Sequence, residues 1–350
     1  MYNKLKFINF KNLKAQEINL SLGLNLFCGK NGAGKTNMLE AMSILSGWGG
    51  LDRCRENLVT WGSEEKTARL YGQTDEGDLV EAHIGEKTAF RFAEKRISAT
   101  ALRQKTPLLM FLPQDMELVE GGAVARRRIL DIALSLIVPT YAYRLAQYRR
   151  AVKQKTIVLK MQGKTNAIDR VTEPLAEWIW SMRGKFLDLL QEELSRNNLC
   201  PCPVFARYIK GGTVIKNIEK QSYAEALALQ CDLEKRLRYP LVGPHRDEIL
   251  LFTEGKLAKN FLSRGQRRRV AISIMLATSD TIKRKLGQTP ILLLDEIMSD
   301  LDNEARGLLL QELALRGGQI CATTTETREE LLSQTEICTN VLKIVDGAVE

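Results

Sequence analysis

Long apolar stretches are missing from this 350-residue sequence. No run reaches roughly eighteen apolar residues, which excludes a membrane-spanning helix. The first residues, Met1-Tyr2-Asn3-Lys4, lack the apolar core and small-residue cleavage site of a secretion signal. A cytoplasmic location without a membrane partner is therefore expected. Histidine is scarce, with 2 in the chain, and no carboxylate–histidine–nucleophile set is visible, so His245 reads as structural. Aromatics make up only 6%, which gives little support to base stacking on single strands. The 7 cysteines are scattered and odd in number, a pattern of reduced thiols and not of a disulfide framework. Cys200-Pro201-Cys202 is the one close pair, and no second pair or nearby histidine completes a zinc site. Repeats and low-complexity tracts are absent. The prolines and glycines of the middle segment exclude a heptad pattern sustained over many turns.

Positive charge, by contrast, is in excess. A formal net charge of +9 favours a polyanionic partner, nucleic acid before an anionic membrane surface. With 44% hydrophobic residues the chain can bury a sizeable core and form about two domains.

Patterning divides the chain into three stretches. Residues 1–112 read as α/β: a strand around Leu5, Phe7 and Phe10, a second from Leu24 to Phe27, then a helix bearing Leu39, Met42 and Leu45. Short strands are expected across residues 66–98. Residues 113–240 read as a compact helical insertion, with helices about Arg126–Leu136, Tyr141–Met161, Pro174–Ser195 and Tyr223–Arg238. Residues 241–350 return to α/β patterning. There Ile291-Leu292-Leu293-Leu294 suits a strand buried on both faces of a mainly parallel sheet.

The strongest motif joins the second strand to its helix. Gly29-Lys30-Asn31-Gly32-Ala33-Gly34-Lys35-Thr36 satisfies G-x-x-x-x-G-K-T at every fixed position. Its glycines let successive backbone N–H groups face phosphates, and the helix N-terminus adds positive potential. Lys35 is expected to reach the β- and γ-phosphates of ATP, and the Thr36 hydroxyl to ligate magnesium. Asp295 and Glu296 end the apolar strand. Asp295 is the expected magnesium partner, and Glu296 the general base that orients the attacking water.

Ser263-Arg264-Gly265-Gln266 opens another helix and supplies a second anion-binding end. Within one P-loop site that end is superfluous, and it makes sense if it serves the nucleotide of another subunit. At this point the chain resembles the ABC ATPases, whose signature motif precedes the acidic strand in the same way. Ser299-Asp300-Leu301-Asp302 resembles their D-loop, and Gln114 stands where a Q-loop glutamine is expected. The resemblance implies an ATP-dependent head-to-tail homodimer. In it Ser263, Gly265, Gln266 and Asp302 join the P-loop in holding nucleotide, and Gln114 assists catalysis.

Within that class the chain resembles the RecF family of bacterial recombinational repair. The resemblance rests on Phe10-Lys11-Asn12-Leu13, Thr36-Asn37-Met38-Leu39-Glu40-Ala41 and Glu117-Leu118-Val119-Glu120-Gly121. It rests equally on Arg126-Arg127-Arg128 with Asp131, Gly243-Pro244-His245-Arg246-Asp247 and Thr323-Thr324-Thr325. It implies an ABC-type ATPase head with a mixed sheet, interrupted by a helical lobe. It also implies ATP-dependent binding to double-stranded DNA and single-strand/double-strand junctions, and work with RecO and RecR to place RecA at gaps. Gly243 to Asp247 has no chemistry of its own at this stage beyond a turn leading into a strand. Thr323 to Thr325 occupies the region of the switch histidine of transporter ATPases, and the resemblance suggests γ-phosphate sensing.

The chain departs from the family at Arg267, where a second glutamine is usual, at Gln114, where an acidic residue is common, and at Glu296, where a second aspartate is common. Gly47-Trp48-Gly49-Gly50-Leu51 replaces an expected Gly-Arg-Ser-Phe-Arg stretch. Candidate phosphate contacts are Arg126 to Arg128, Arg149, Arg150, Lys153, Lys155 and Arg267 to Arg269. Competing readings are a transport energiser, which usually carries the switch histidine, an SMC- or Rad50-like head, which needs a long coiled-coil arm, and an ATPase-coupled nuclease.

Overall fold

A computed structural model describes residues 1–52, 54–212, 221–299, 301–326 and 340–350. Its contacts separate two compact units, Met1–Asp115 with Ile282–Glu350, and Met116–Thr281.

The first unit carries two sheets. One is antiparallel, in the order β2-β1-β4-β5-β6-β7. Its strands are β1 (Tyr2–Ile8), β2 (Glu17–Asn19), β4 (Ala68–Thr74), β5 (Leu79–Ile84), β6 (Thr88–Phe92) and β7 (Lys95–Ile97). Leu5 and Phe7 of β1 are buried while Lys4 and Lys6 are exposed, the period-two pattern of a strand with one wet face. The other sheet runs β15-β14-β3-β13-β12-β8. It is built from β3 (Leu24–Cys28), β8 (Leu108–Phe111), β12 (Ile291–Leu294), β13 (Ile320–Thr324), β14 (Asn340–Val345) and β15 (Ala348–Val349). All neighbours are parallel except the β14–β15 hairpin, so the sheet is mixed. Every residue of β3, β12 and β13 is buried, which accounts for their unbroken apolar runs.

Helix α1 (Lys35–Leu45) packs on β4 and β5 of one sheet and on β12 and β13 of the other. That position explains why it is buried nearly all round, as helices apolar on every side are. Shorter helices α2 (Ala99–Lys105) and α10 (Asn303–Leu315) complete the unit.

The second unit holds α3 (Glu117–Glu120), α4 (Ala123–Ile137), α5 (Tyr141–Lys160), α6 (Asn166–Leu194), α7 (Tyr223–Leu237), α8 (Ala258–Phe261) and the start of α9 (Arg264–Leu286). It also contains a sheet that the helical expectation missed, β11-β10-β9, made of β9 (Phe205–Ile209), β10 (Glu248–Thr253) and β11 (Lys256–Leu257). The sequence reading divides the chain at residues 112 and 240. Residues 241–281 belong instead with the second unit, because β10 pairs with β9 from Glu248↔Ile209 to Phe252↔Phe205. Helix α6 also starts eight residues before the expected Pro174 and carries that proline inside it. Such a proline forfeits one helical hydrogen bond. The buried Thr172, Ala176, Ile179 and Trp180 on either side of it hold the helix through packing.

Gly243 to Asp247 acquires a physical role in this unit. Pro244–Arg246 form a 3₁₀ turn that delivers Asp247, fully buried, to the start of β10. The Asp247 carboxylate accepts from Arg183 Nη1 (2.6 Å), Trp180 Nε1 (2.8 Å), the Gly211 amide (2.9 Å) and the Tyr208 hydroxyl. Arg183 continues to Asp131 at 2.8 Å, which also accepts from the Tyr141 hydroxyl at 2.7 Å. Desolvation acts to lower the Arg183 pKa, but the carboxylates of Asp247 and Asp131 outweigh it and hold the guanidinium well above its ordinary range. Gly243 is required here. Its φ is 125°, and a Cβ would lie 2.2 Å from the Tyr148 hydroxyl.

His245 is structural, as expected: Nδ1 lies 2.6 Å from the Tyr148 hydroxyl and Nε2 3.2 Å from the Pro240 carbonyl. Burial pushes its pKa from 6.5 down to about 4. The unfolded chain therefore binds the proton first. This contribution to stability is complete above pH 6.5 and is lost as pH falls toward 4, at no more than about 1.4 kcal/mol per pH unit. Denaturant midpoints at pH 7.5 and 4.5 check this. Wild type is expected to lose more stability on acidification than His245→Gln, and equal losses would refute the assignment.

Candidate active site

The P-loop leaves β3 and enters α1 through Gly34, whose φ of 111° places the helix N-cap in the left-handed region. No side chain caps this helix and no acidic residue occupies its first turn. Its N-terminal amides are therefore left for an anion. Lys35 is buried, and its ammonium donates to the carbonyls of Gly29 (2.6 Å) and Lys30 (2.9 Å). Desolvation lowers its pKa, while the negative charges of Glu296 and Asp295 oppose the shift.

Three side chains meet at the strand ends. In sheet order β13 lies between β3 and β12. The Thr36 hydroxyl stands 3.0 Å from both carboxylate oxygens of Asp295. Thr323, at the end of β13, donates its hydroxyl to Asp295 Oδ1 at 2.7 Å and accepts the Glu296 backbone N–H at 2.8 Å. Glu296 has a φ of 49°, uncommon for a residue with a side chain. One threonine thus fixes the carboxylate beside the P-loop and the backbone that aims the next carboxylate. The role assigned to Thr323 by resemblance changes accordingly, since its hydroxyl is buried and committed to Asp295 and Glu296. Thr36 and Asp295 present only oxygen donors, the set that suits magnesium.

The segment Phe10-Lys11-Asn12-Leu13 before the loop also has a mechanical reason. Lys11 forms a salt bridge with the fully buried Glu40 of α1, and Glu40 accepts the Leu51 amide at 2.7 Å. Asn12 donates to the Gly32 carbonyl at 3.2 Å and accepts from Asn37 at 2.8 Å. The β14–β15 turn adds a clasp, the Gly347 amide donating to the Ala33 carbonyl at 2.9 Å. Sequence reasoning placed no site role on Asn12, Glu40 or Gly347. In the divergent Gly47–Leu51 segment, Arg103 stacks 4.4 Å from the Trp48 ring and donates to the Gly47 carbonyl at 2.8 Å.

Ser263, Gly265 and Gln266 belong to the second unit. Ser263 and Gln266 form a reciprocal cap at the start of α9: the Ser263 amide donates to Gln266 Oε1 at 2.9 Å, and the Gln266 amide to Ser263 Oγ at 3.3 Å. Both residues are exposed. Gln114 is exposed on the 3₁₀ turn that follows β8. Asp302 caps α10 by accepting the Ala305 amide at 2.8 Å, while Asp300 lies outside the described residues.

Several basic candidates have other partners. Arg126 is buried, ion-paired to Glu248 at 3.0 Å and bonded to the Leu118 and Gly121 carbonyls. Lys155 is fully buried between Asp169 (2.9 Å) and Glu234 (2.7 Å). Arg268 is buried, Arg267 pairs with Glu120 at 3.2 Å, and Arg269 donates to the Leu199 carbonyl at 3.0 Å. Arg127 donates to the Asp247 carbonyl at 2.5 Å. These six serve the packing of their own unit, because a cation taken out of water needs a local partner. Arg128, Arg149, Arg150 and Lys153 remain exposed.

Residues 1–68 match the family model described as an AAA ATPase domain. A protein of Lactococcus lactis subsp. cremoris (strain MG1363), named DNA replication and repair protein RecF, is 33% identical over 371 residues, covering 99% of both chains. This chain belongs to the RecF family. A RecF of Geobacillus kaustophilus (strain HTA426) is 30% identical over 92% of each chain. Among solved structures, that of the recombination mediator protein RecF-ATPrS in the RecFOR pathway superposes with a TM-score of 0.85 at 24% identity. It covers 100% of this chain and 97% of that one. An SMC head bound to the C-terminal winged-helix domain of ScpA superposes at 0.56 with 15% identity, which places RecF and SMC heads in one ABC-type fold. No helix among the described residues is long and apolar enough to cross a membrane.

Proposed function

We propose that this RecF-family chain is a slow, magnesium-dependent ATPase whose ATP-bound form pairs head to tail with a second copy and binds duplex DNA. The observation that carries the reading is the meeting of Thr36, Asp295 and Thr323 beside a helix N-terminus left uncapped. Thr36 and Asp295 would hold magnesium, which supplies charge neutralisation at the phosphates. Lys35 binds the β- and γ-phosphates, and Glu296 accepts a proton from the water that attacks the γ-phosphorus. Gln114 orients that water. The exposed Ser263 and Gln266 of one copy, with Gly265 between them and Asp302, complete the site of the other. The family's place in DNA replication and repair supports binding at single-strand/double-strand junctions, with RecO- and RecR-type partners and delivery of RecA to gaps.

Lys35→Met is expected to abolish detectable ATP binding. Titration with a fluorescent ATP analogue checks this, and an affinity equal to wild type would overturn the role of Lys35. Thr323→Val is expected to lower kcat about 10- to 100-fold, the usual effect of losing an outer hydrogen bond to a metal-holding carboxylate. Thr323→Ser, which keeps the hydroxyl, should restore most of the rate. Steady-state phosphate release separates the two variants, and equal activity of Val and wild type would remove Thr323 from the site.

A further inference from the structure

Glu296 is held at both ends of its backbone. Its amide lies on Thr323, and its carbonyl accepts the Ser299 amide at 3.2 Å and the Ser299 hydroxyl at 2.9 Å. A residue at φ 49° keeps that conformation only where its surroundings fix it. The two holds come from different segments, the end of β13 and the stretch that leads from β12 into α10. An ion pair joins those segments a second time. Beyond β13 the Thr324 hydroxyl accepts the Glu326 amide at 3.1 Å, and the Glu326 carboxylate meets the Arg306 guanidinium of α10 at 2.7 Å. The Arg306 amide donates to the Asp302 carbonyl at 3.0 Å, and the Asp302 side chain caps the same helix. Glu296 thus sits in a closed circuit that runs through Thr323, Glu326, Arg306 and Asp302 and returns along the chain to Ser299.

Helix stability does not explain this pair. Arg306 is the fourth residue of α10, near the end where the helix dipole disfavours a cation. Both side chains are part-buried, so their attraction is screened less than at the open surface. The pairing is also incomplete. One guanidinium nitrogen meets one carboxylate oxygen, while Arg306 Nε and Glu326 Oε2 are buried and, among the described residues, without a hydrogen-bond partner. Arginine and carboxylate commonly join by two parallel bonds. The spare donor and spare acceptor leave a two-point arrangement open to the same pair, reached by a small shift of α10 against the end of β13. Unpaired buried polar atoms cost free energy, which favours that closure once the helix end can move.

We propose that Arg306 and Glu326 are positioning residues for the general base, setting Glu296 from α10 by way of Thr323. The inference rests on the ATPase reading above and adds to it a route by which Asp302 affects hydrolysis. When Asp302 engages the nucleotide of a second copy, the end of α10 shifts and the ion pair passes from one-point to two-point contact. Thr323 carries the change to the Glu296 amide. Two discrete arrangements of one packed contact are what such coupling needs.

The test is steady-state phosphate release by the full chain with ATP and magnesium. Arg306→Gln is expected to lower kcat about tenfold, within the range for a reacting group slightly out of place. KM and the ATP-driven dimer should stay as in wild type, and Glu326→Gln should behave alike. In a Thr323→Val background, Arg306→Gln should add no more than about a twofold loss, because both changes act on one group. The exchanged variant Arg306→Glu, Glu326→Arg should regain most of the rate, and thermal melts verify that each variant is folded. Full kcat in Arg306→Gln, or losses that simply multiply in the double variant with Thr323→Val, would overturn the inference while leaving the ATPase intact. A wild-type chain that hydrolyses no ATP would overturn both the inference and the reading beneath it.

Discussion

Glu296→Gln is expected to reduce ATP hydrolysis by about 10²- to 10⁴-fold, the range contributed by a positioned general base. Nucleotide binding and head-to-tail pairing should persist. The substitution keeps the size of the side chain and leaves the Glu296 backbone N–H on Thr323, so the unusual φ of 49° is retained. What disappears is the carboxylate's ability to take a proton from water. Single-turnover hydrolysis measures the first effect, and sedimentation with ATP measures the second, where a long-lived dimer is expected. A variant that hydrolyses ATP at the wild-type rate would show that another group activates the water.

The second large effect is expected far from that chemistry in kind. Arg183→Ala should destabilise the second unit by about 3–5 kcal/mol, the cost of leaving buried carboxylates without their counter-ion. Asp247 is fully buried and ion-paired to Arg183, and Asp131, nearly buried, is shared between Arg183 and Arg149, the latter at 3.1 Å, so most of the loss is expected at Asp247. Replacement by lysine should recover little, because a single ammonium cannot reproduce a fork that reaches two carboxylates and the Pro244 carbonyl. Urea unfolding followed by circular dichroism tests this. A midpoint unchanged from wild type would mean that the network adds nothing to stability.

Much of the first unit could be read from residues alone, because its two strongest signals are local. A glycine loop flanked by an apolar strand and helix, and an apolar run closed by two acids, are set by backbone geometry within a few residues. Strand β9 could not be read in this way. Phe205 to Ile209 carries no clean alternation, and it becomes a strand through pairing with β10, about forty residues later. Pro174 misled for a similar reason, since tertiary packing overrides local propensity. The Thr323 relay escaped because its partners, Asp295 and Glu296, lie 27 to 28 residues away. Arg126 and Lys155 were misread as surface charge because a sequence shows a cation without showing the distant carboxylate that lets it be buried.

The central claim, nucleotide-driven pairing of two heads, is tested most directly by sedimentation velocity of the pure chain with magnesium and either ATP or ADP. The account predicts a monomer with ADP and a dimer with ATP. The dimer should vanish in Lys35→Met and accumulate in Glu296→Gln. A sedimentation coefficient that does not respond to nucleotide would contradict it, leaving the exposed cap at Ser263 and Gln266 without a second site to complete.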